Sequence, residues 1–138
     1  MLTESARRSG DGSLLLNGVR LRVVLVGYKM FGRVYLDGDG SGKSSHVSLY
    51  FGVASGNFDA LRRWPFRQRV TLTLLDQVSG RQNVTDEFRP DVPRPTSDTN
   101  SASGFPRFVA LSALEGPENV FVRDDTIFVR IVVDCRDI

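Results

Sequence analysis

The sequence is poor in the residues that build metal sites and covalent frameworks. Among 138 residues it has one cysteine, Cys135, and one histidine, His46. A single thiol excludes a disulfide framework and a zinc site built on several cysteines. The longest purely apolar run, from Val23 to Val26, is far short of the roughly 20 residues that span a bilayer. We therefore expect no metal, no cofactor and no membrane-spanning segment.

The same scarcity argues against an enzyme. His46 is the only candidate base for a hydrolase triad, and the sequence has no G-x-S-x-G elbow. Cys135 lies near the C-terminus without a basic helix end that would activate its thiol. We expect ordinary structural roles for both residues and no catalytic activity.

The N-terminal residues differ in composition from the rest of the chain. Residues 1–12 are polar and lack the apolar segment of a secretory signal. We predict a flexible leader over residues 1–12 and one folded domain over residues 13–138, a length that buries a core without cross-links. A lone thiol without a signal fits a reducing compartment, so the expected location is cytoplasmic.

Apolar and polar residues alternate along several segments, as in half-buried strands. Near the C-terminus, Ile127 and Val129 share one face and Phe128 lies on the other. Helical periodicity is weak, apart from a short helix predicted over residues 58–63 and stopped by Pro65. We predict an all-β fold, an antiparallel sandwich of about seven to eight strands. The predicted strand segments are 19–36, broken at Gly27, and then 47–53, 70–76, 105–111 and 126–134.

Turn-forming residues separate these segments. Asn17-Gly18 favours a tight hairpin, and residues 93–103 favour an exposed loop. Residues 37–44 are rich in glycine and partly fit two ion-binding motifs. A phosphate-cradling loop needs glycine where Asp37 stands, and a calcium loop needs a bidentate Glu where Ser48 stands. We predict a glycine-rich strand connection instead.

Arginine supplies most of the positive charge, and four arginines cluster near one aromatic segment. They occupy positions 62, 63, 67 and 69, around Trp64 and Phe66. Such a cluster can form a nucleic-acid patch. Because the charge is local and the net charge is only +2, we favour a solvated corner of the fold with Trp64 packed.

One face of two predicted strands combines aromatic and charged side chains. Its residues are Lys29, Phe31, Arg33, Tyr35 and Asp37 in the first strand, and Ser48 and Tyr50 in the second. If the alternating aliphatic residues form the core, then Arg33, Tyr35 and Tyr50 point outward. Amphipathic aromatics beside an arginine are typical of peptide-binding surfaces. Simple cross-strand pairing of solvent-facing tyrosines fits the pattern equally well.

Nine short motifs follow one another along the chain. They are Gly-Tyr-Lys-Met at 27–30, Tyr-Leu-Asp-Gly-Asp-Gly-Ser-Gly at 35–42, His-Val-Ser-Leu at 46–49, Phe-Asp-Ala-Leu at 58–61, Trp-Pro-Phe at 64–66, Val-Thr-Leu-Thr-Leu-Leu-Asp-Gln at 70–77, Phe-Arg-Pro-Asp at 88–91, Ala-Ser-Gly at 102–104 with Pro106, and Asp-Asp-Thr-Ile-Phe at 124–128. Together they resemble the C-terminal (MATH) domain of the TNF receptor-associated factors. The match extends from Gly27 to Asp137.

The resemblance implies an eight-stranded antiparallel sandwich without enzymatic activity. It implies binding of short extended peptides, from TNF-type receptor cytoplasmic tails or adaptor proteins, and assembly into homo- or hetero-trimers with related proteins. No nucleic acid and no direct membrane insertion are expected. The implied peptide-binding residues are the polar contacts Arg33, Tyr35 and Asp39, the pocket walls Tyr50 and Phe88, and the floor residues Ser103 and Gly104.

The chain departs from the family pattern in two places. The family usually has consecutive serines and a Phe after the Arg-Pro-Asp segment, whereas here Asp91-Val92 leads directly into Pro93. Residues 13–26 also lack the apolar–Trp–Ile and Pro-Phe-Tyr patterns that usually open the domain. Two alternatives therefore stay open: an assembly or decoy scaffold that has lost peptide binding, and a substrate-recognition module for a ubiquitin ligase.

Overall fold

The computed structural model describes residues 2–7, 17–25, 27–97 and 102–136, the first two ranges by their backbone. The strands are β1 (Leu2–Arg7), β2 (Asn17–Leu25), β3 (Tyr28–Tyr35), β4 (His46–Ala54), β5 (Val70–Leu74), β6 (Val84–Phe88), β7 (Ser103–Ala110) and β8 (Thr126–Val133). They form two four-stranded antiparallel sheets, with the orders β1-β8-β5-β6 and β2-β3-β4-β7. The predicted all-β antiparallel sandwich is confirmed.

The core lies between the two sheets and follows the alternation of the strands. Val70, Leu72 and Leu74 of β5 are buried and face the interior, as the sequence pattern predicts. Leu72 pairs with Ile131 of β8. A Cβ atom at Gly32 of β3 would collide with the Ile131 side chain, which shows how closely the sheets pack here. Each such aliphatic side chain stabilises the fold by roughly 1.5–3 kcal/mol through burial.

The N-terminal segment differs from the flexible leader that its composition suggested. Residues 2–7 form β1, which pairs antiparallel with β8 from Leu2↔Ile131 to Arg7↔Thr126. The pairing satisfies backbone groups along the edge of β8 that would otherwise be open. Residues 8–16, the rest of the predicted leader and its junction with the domain, lie outside the described residues.

Strand β2 fills the place of the segment that is atypical for the family. It pairs along the whole of β3, from Asn17↔Tyr35 to Leu25↔Tyr28, with an irregularity between Asn17 and Val19. The hairpin predicted at Asn17-Gly18 was wrong, because both residues belong to β2. The connection to β3 instead contains Gly27, whose φ of +87° suits glycine.

Helical structure among the described residues is limited to short 3-10 turns. The helix predicted over residues 58–63 is one such turn, Asp59–Leu61. The Gly56 N–H donates to Asp59 Oδ2 at 3.0 Å, which tightens this loop. Pro65 then prevents a longer helix. No helix within the described ranges is long and apolar enough to cross a membrane.

Candidate functional site

Four of the predicted site residues form one linked cluster on the outer face of sheet β2-β3-β4-β7. The Arg33 guanidinium donates to the Tyr35 hydroxyl at 3.3 Å, and the Tyr50 hydroxyl donates to Asp39 Oδ2 at 3.2 Å. The two tyrosine rings meet edge to face, with centroids 5.7 Å apart. Arg33 and Tyr50 are also directly opposite in the β3–β4 register. We call these four residues the polar–aromatic cluster.

The outward placement of this cluster is confirmed by burial. Arg33, Tyr35 and Tyr50 are half-buried and Asp39 is exposed, whereas the alternating aliphatic residues of the same strands are buried. The period-two pattern of the sequence therefore assigns the faces correctly. The binding role of the residues is a separate matter and stays a prediction.

Phe31 shares the outer face of β3 with Arg33 but is fully buried. Its ring covers Gly52, its partner on β4, so closely that a Cβ atom there would collide with it. The Arg33 guanidinium carbon lies 5.5 Å from the centroid of the same ring. This cation–π contact stabilises the position of the arginine over the Phe31 ring.

Ser48 also lies on the outer face and is buried rather than exposed. Its Oγ accepts from the Asp39 N–H at 2.8 Å and donates to the Pro106 carbonyl at 2.6 Å. One hydroxyl thus ties the loop that carries Asp39 to β4 and β7. The sequence pattern did not reveal this role. The only available signal was a serine between two core positions, Val47 and Leu49.

The loop over residues 36–45, here called the glycine loop, is the strand connection that the sequence predicted. Gly38 has a φ of +82°, and a Cβ atom there would lie 2.6 Å from the His46 carbonyl and collide with the Gly42 carbonyl. A Cβ atom at Gly42 would collide with the Pro106 carbonyl. The glycines therefore serve close backbone packing. The described residues contain no group of three or more His, Cys, Asp or Glu side chains placed to hold a metal ion.

Strand β7 borders the polar–aromatic cluster and forms the edge of its sheet. Gly104 pairs with Tyr50, and a Cβ atom on Gly104 would lie 2.8 Å from the Tyr50 Cα. Ser103, opposite Phe51, is exposed at the start of the strand. The structure thus places both predicted floor residues beside the cluster.

Phe88 lies apart from the other six predicted residues. It ends β6 in the opposite sheet, and its ring meets Phe105 edge to face at 5.6 Å. Phe105 pairs with Leu49, a core residue, so this contact lies on the core side of β7. Tyr50 lies on the outer side. The apolar pocket predicted between Phe88 and Tyr50 stays a prediction.

The electrostatics of the cluster are set by one charge at each end. The contacts run from the Arg33 cation through the two tyrosines to the Asp39 carboxylate. Partial burial, and then the negative charge of Asp39, raise the pKa of Tyr50 above its usual value. The phenol therefore remains a donor at neutral pH. The cluster can offer cationic donors to a carboxylate and two aromatic faces to an apolar group.

The fold and this face together define an all-β sandwich domain with an exposed polar–aromatic sheet surface. The family model of the TRAF/meprin MATH domain matches residues 20–130. The chain therefore belongs to the MATH domain family, and the resemblance seen in its motifs is confirmed. This membership supports the class of signalling adaptor module.

Individual relatives agree with the family assignment. The chain is 53% identical over 117 residues to human TNF receptor-associated factor 5, covering 81% of this chain and 21% of the relative. It is 53% identical over 113 residues to human TNF receptor-associated factor 2, covering 78% and 22%. A solved structure of Notothenia coriiceps TRAF5 superposes with a TM-score of 0.73 at 46% identity, covering 78% of this chain and 56% of that one. The chain thus spans about a fifth of the length of these curated relatives.

Proposed function

We propose that this domain is a non-catalytic, cytoplasmic signalling adaptor module. It binds short extended peptides from TNF-type receptor tails or adaptor proteins on the outer face of sheet β2-β3-β4-β7. The observation that supports this proposal is the linked polar–aromatic cluster beside an edge strand. Family membership supports the adaptor class, and the names of the relatives associate them with TNF receptors.

The proposed binding mode follows from the edge position of β7. An extended peptide can pair with the outer backbone groups of an edge strand and gain affinity from the main-chain hydrogen bonds. The Arg33 fork then pairs with a carboxylate of the peptide, in a charge-assisted bond weakened by solvent. Tyr35 and Asp39 make further polar contacts to the peptide, and Tyr50 contacts one of its apolar side chains.

The remaining predicted residues complete the proposed groove. Ser103 and Gly104 form its floor, where the lack of a side chain at Gly104 keeps β7 close to β4. Phe88 supports the floor through Phe105. Because a single shallow groove binds weakly, assembly into a trimer would supply the useful affinity through multivalency.

A binding titration tests the proposal. Receptor-tail peptides are added to the isotopically labelled domain, and the NMR signals of Tyr35 and Tyr50 are followed. Tyr35→Ala should leave the free energy of unfolding within about 0.5–1 kcal/mol of the parent, because the side chain is on the surface. It should weaken peptide binding about tenfold or more, because aromatic contacts dominate such interfaces.

Phe128→Ala is the matched control, since Phe128 is an exposed aromatic on the opposite sheet. It should leave peptide affinity unchanged. The absence of any saturable shift up to millimolar peptide, in a folded sample, would contradict the proposal. Unfolding of Tyr35→Ala would show that the face is assigned incorrectly.

A second candidate function is an assembly scaffold without peptide binding. It is favoured by two large apolar side chains on the Asp59–Leu61 turn and its flank, Phe58 at 51% exposure and Leu61 at 72%. Neighbouring exposed apolar residues often mark protein contacts. Sedimentation of the domain, alone and with a trimeric relative, separates the two functions. Assembly that persists when no receptor peptide binds would favour the scaffold.

A further inference from the structure

A second concave site lies at the end of the sandwich where β3 and β5 begin. It is an open cavity of about 480 Å³, here called the Trp64 pocket. Next to its lining residues in the sequence, the buried residues Phe66 and Val92 exchange two backbone hydrogen bonds of 2.7 and 3.0 Å. The lining residues are Trp64, Pro65, Arg67, Asp91, Pro93 and Arg94.

The Trp64 pocket is remote from the polar–aromatic cluster. Trp64 meets Tyr28 edge to face at 5.2 Å, and Tyr28 is the first residue of β3. Tyr35 is the last residue of the same strand, which at about 3.3 Å per residue places it roughly 23 Å away. A ligand in the pocket therefore lies apart from the polar–aromatic cluster.

One wall of the pocket is apolar, although an indole forms it. The Trp64 Nε1–H donates inward to the Asp59 carbonyl at 2.8 Å. The part of the ring that faces the pocket therefore offers carbon atoms, next to the exposed rings of Pro65 and Pro93. Such a surface suits an aliphatic or proline side chain.

The rim of the pocket is positively charged. Arg67 Nε pairs with Asp91 Oδ1 at 3.0 Å, and both side chains are 67% exposed. This pair balances the one carboxylate of the pocket. Arg94 is exposed and forms no ion pair within the part of the chain that the structure describes. Its planar fork matches a carboxylate in geometry.

We propose that the Trp64 pocket binds an acidic peptide segment, with an apolar side chain against Trp64 and a neighbouring carboxylate on Arg94. Charge complementarity favours this partner. Arg67 and Asp91 pair with each other, so Arg94 is the rim cation without an ion pair among the described residues. A nucleic acid fits less well, since its continuous phosphates would meet the Asp91 carboxylate on the rim. The site is separate from the polar–aromatic cluster.

Tryptophan fluorescence reports on this site alone, because Trp64 is the only tryptophan of the chain. The full chain is titrated with the probe peptide acetyl-Gly-Glu-Glu-Pro-Leu-Glu-Gly-amide while tryptophan fluorescence is recorded. We expect a saturable change that weakens as salt is added. The matched peptide with Gln in place of each Glu should bind at least about tenfold more weakly, because it lacks the charge-assisted contact.

Charge reversal at two exposed arginines tests the assignment. Arg94→Glu should weaken the acidic peptide about tenfold, whereas Arg81→Glu, in the loop between β5 and β6, should change its affinity less than about twofold. Circular dichroism checks that both variants are folded. Equal losses in the two variants, or no saturable fluorescence change at millimolar peptide, would overturn the proposal. So would tighter binding of a single-stranded oligonucleotide than of the acidic peptide.

Discussion

Two strand connections of this domain are stabilised in opposite ways. The glycine loop, residues 36–45, joins β3 to β4, and its backbone is held by neutral contacts: glycines packed on carbonyls and one buried hydroxyl, Ser48. The loop over residues 75–83, here called the aspartate loop, joins β5 to β6 and is held by the carboxylate of Asp76. Both loops connect neighbouring strands and both contain a glycine with positive φ.

The aspartate loop is organised around a single buried anion. Asp76 Oδ1 accepts from the N–H groups of Val78 and Ser79 at 2.8 and 3.0 Å. Its Oδ2 accepts from the Ser79 hydroxyl at 2.7 Å and from the Gln82 N–H at 3.0 Å. Burial alone would raise the pKa of Asp76, but these hydrogen bonds outweigh it and hold the pKa well below its usual value.

The difference shows that acidic residues in a sequence do not mark where charge stabilises a fold. Asp37 and Asp39 give the glycine loop the look of an ion-binding segment, yet both side chains are exposed. The aspartate loop matches no ion-binding motif, and its one carboxylate carries four hydrogen bonds. Which residue holds a loop depends on what the backbone brings within reach.

The largest effect is expected from adding one methyl group to the glycine loop. Gly38→Ala combines a positive φ with collisions against the Gly42 and His46 carbonyls. We expect a loss of more than roughly 3 kcal/mol of unfolding free energy, since left-handed backbone and steric strain add together. Urea unfolding followed by circular dichroism measures the loss.

Gly80→Ala in the aspartate loop is the matched control. Gly80 has a φ of +71° but open space around the missing Cβ. Its substitution should cost only about 1–2 kcal/mol, the price of the left-handed backbone. Equal losses in the two variants would show that close packing does not distinguish the loops.

The second effect concerns the loss of stability at acidic pH. Asp76 has a folded pKa below its unfolded pKa of about 3.9, so its contribution to stability is complete above that value and is lost as pH falls toward the folded pKa. Asp76→Asn should therefore destabilise the domain at pH 7. It should also reduce the further loss of stability between pH 5 and strongly acidic solution, measured by urea unfolding at each pH.

Asp37→Asn, in the glycine loop, is the control for Asp76→Asn. Its exposed side chain should leave both the stability at pH 7 and the acid response unchanged. Some acid sensitivity should remain in every variant, because hydrogen bonds from Arg136 hold the pKa of Asp134 low as well. An acid response of Asp76→Asn identical to that of the parent would refute the role assigned to Asp76.

Strands with an alternating pattern were predictable from the sequence, and strands without one were not. The alternating pattern of β5 indicates a core face formed by Val70, Leu72 and Leu74, and all three are buried in the structure. Strand β6 (Val84–Phe88) was missed as a strand because its central residues are exposed and polar. Strand β1 (Leu2–Arg7) was missed because its residues, Leu-Thr-Glu-Ser-Ala-Arg, are mostly polar. Both are edge strands, where polar residues are normal.

The outward-facing residues of the candidate site were predictable from the sequence. The buried residues that support them were not. Strand alternation assigned Arg33, Tyr35 and Tyr50 to the outer face, because that needs only local periodicity. The burial of Phe31 depends on Gly52 in the next strand, and the burial of Ser48 depends on the Pro106 carbonyl 58 residues away. Contacts between distant segments leave no periodic trace in a single sequence.

Among the three main variants, Gly38→Ala, Asp76→Asn and Ser48→Ala, the smallest effect on stability is expected from Ser48→Ala. The change leaves the Pro106 carbonyl and the Asp39 N–H without their buried partner. It should cost roughly 1–3 kcal/mol of unfolding free energy, the usual penalty for unsatisfied buried groups. Ser41→Ala, at an exposed position of the same loop, should cost almost nothing. Urea unfolding compares the two.

The same variant also separates the support of the loop from its proposed binding role. If Ser48 acts by positioning Asp39, the Asp39 amide proton should exchange faster with solvent in Ser48→Ala, whether or not any peptide binds. Where peptide does bind, Ser48→Ala should weaken it in the parent but add no further loss to Asp39→Ala, because both changes remove one linked contact. Independent, additive losses would mean that Ser48 stabilises the sandwich without shaping the polar–aromatic cluster.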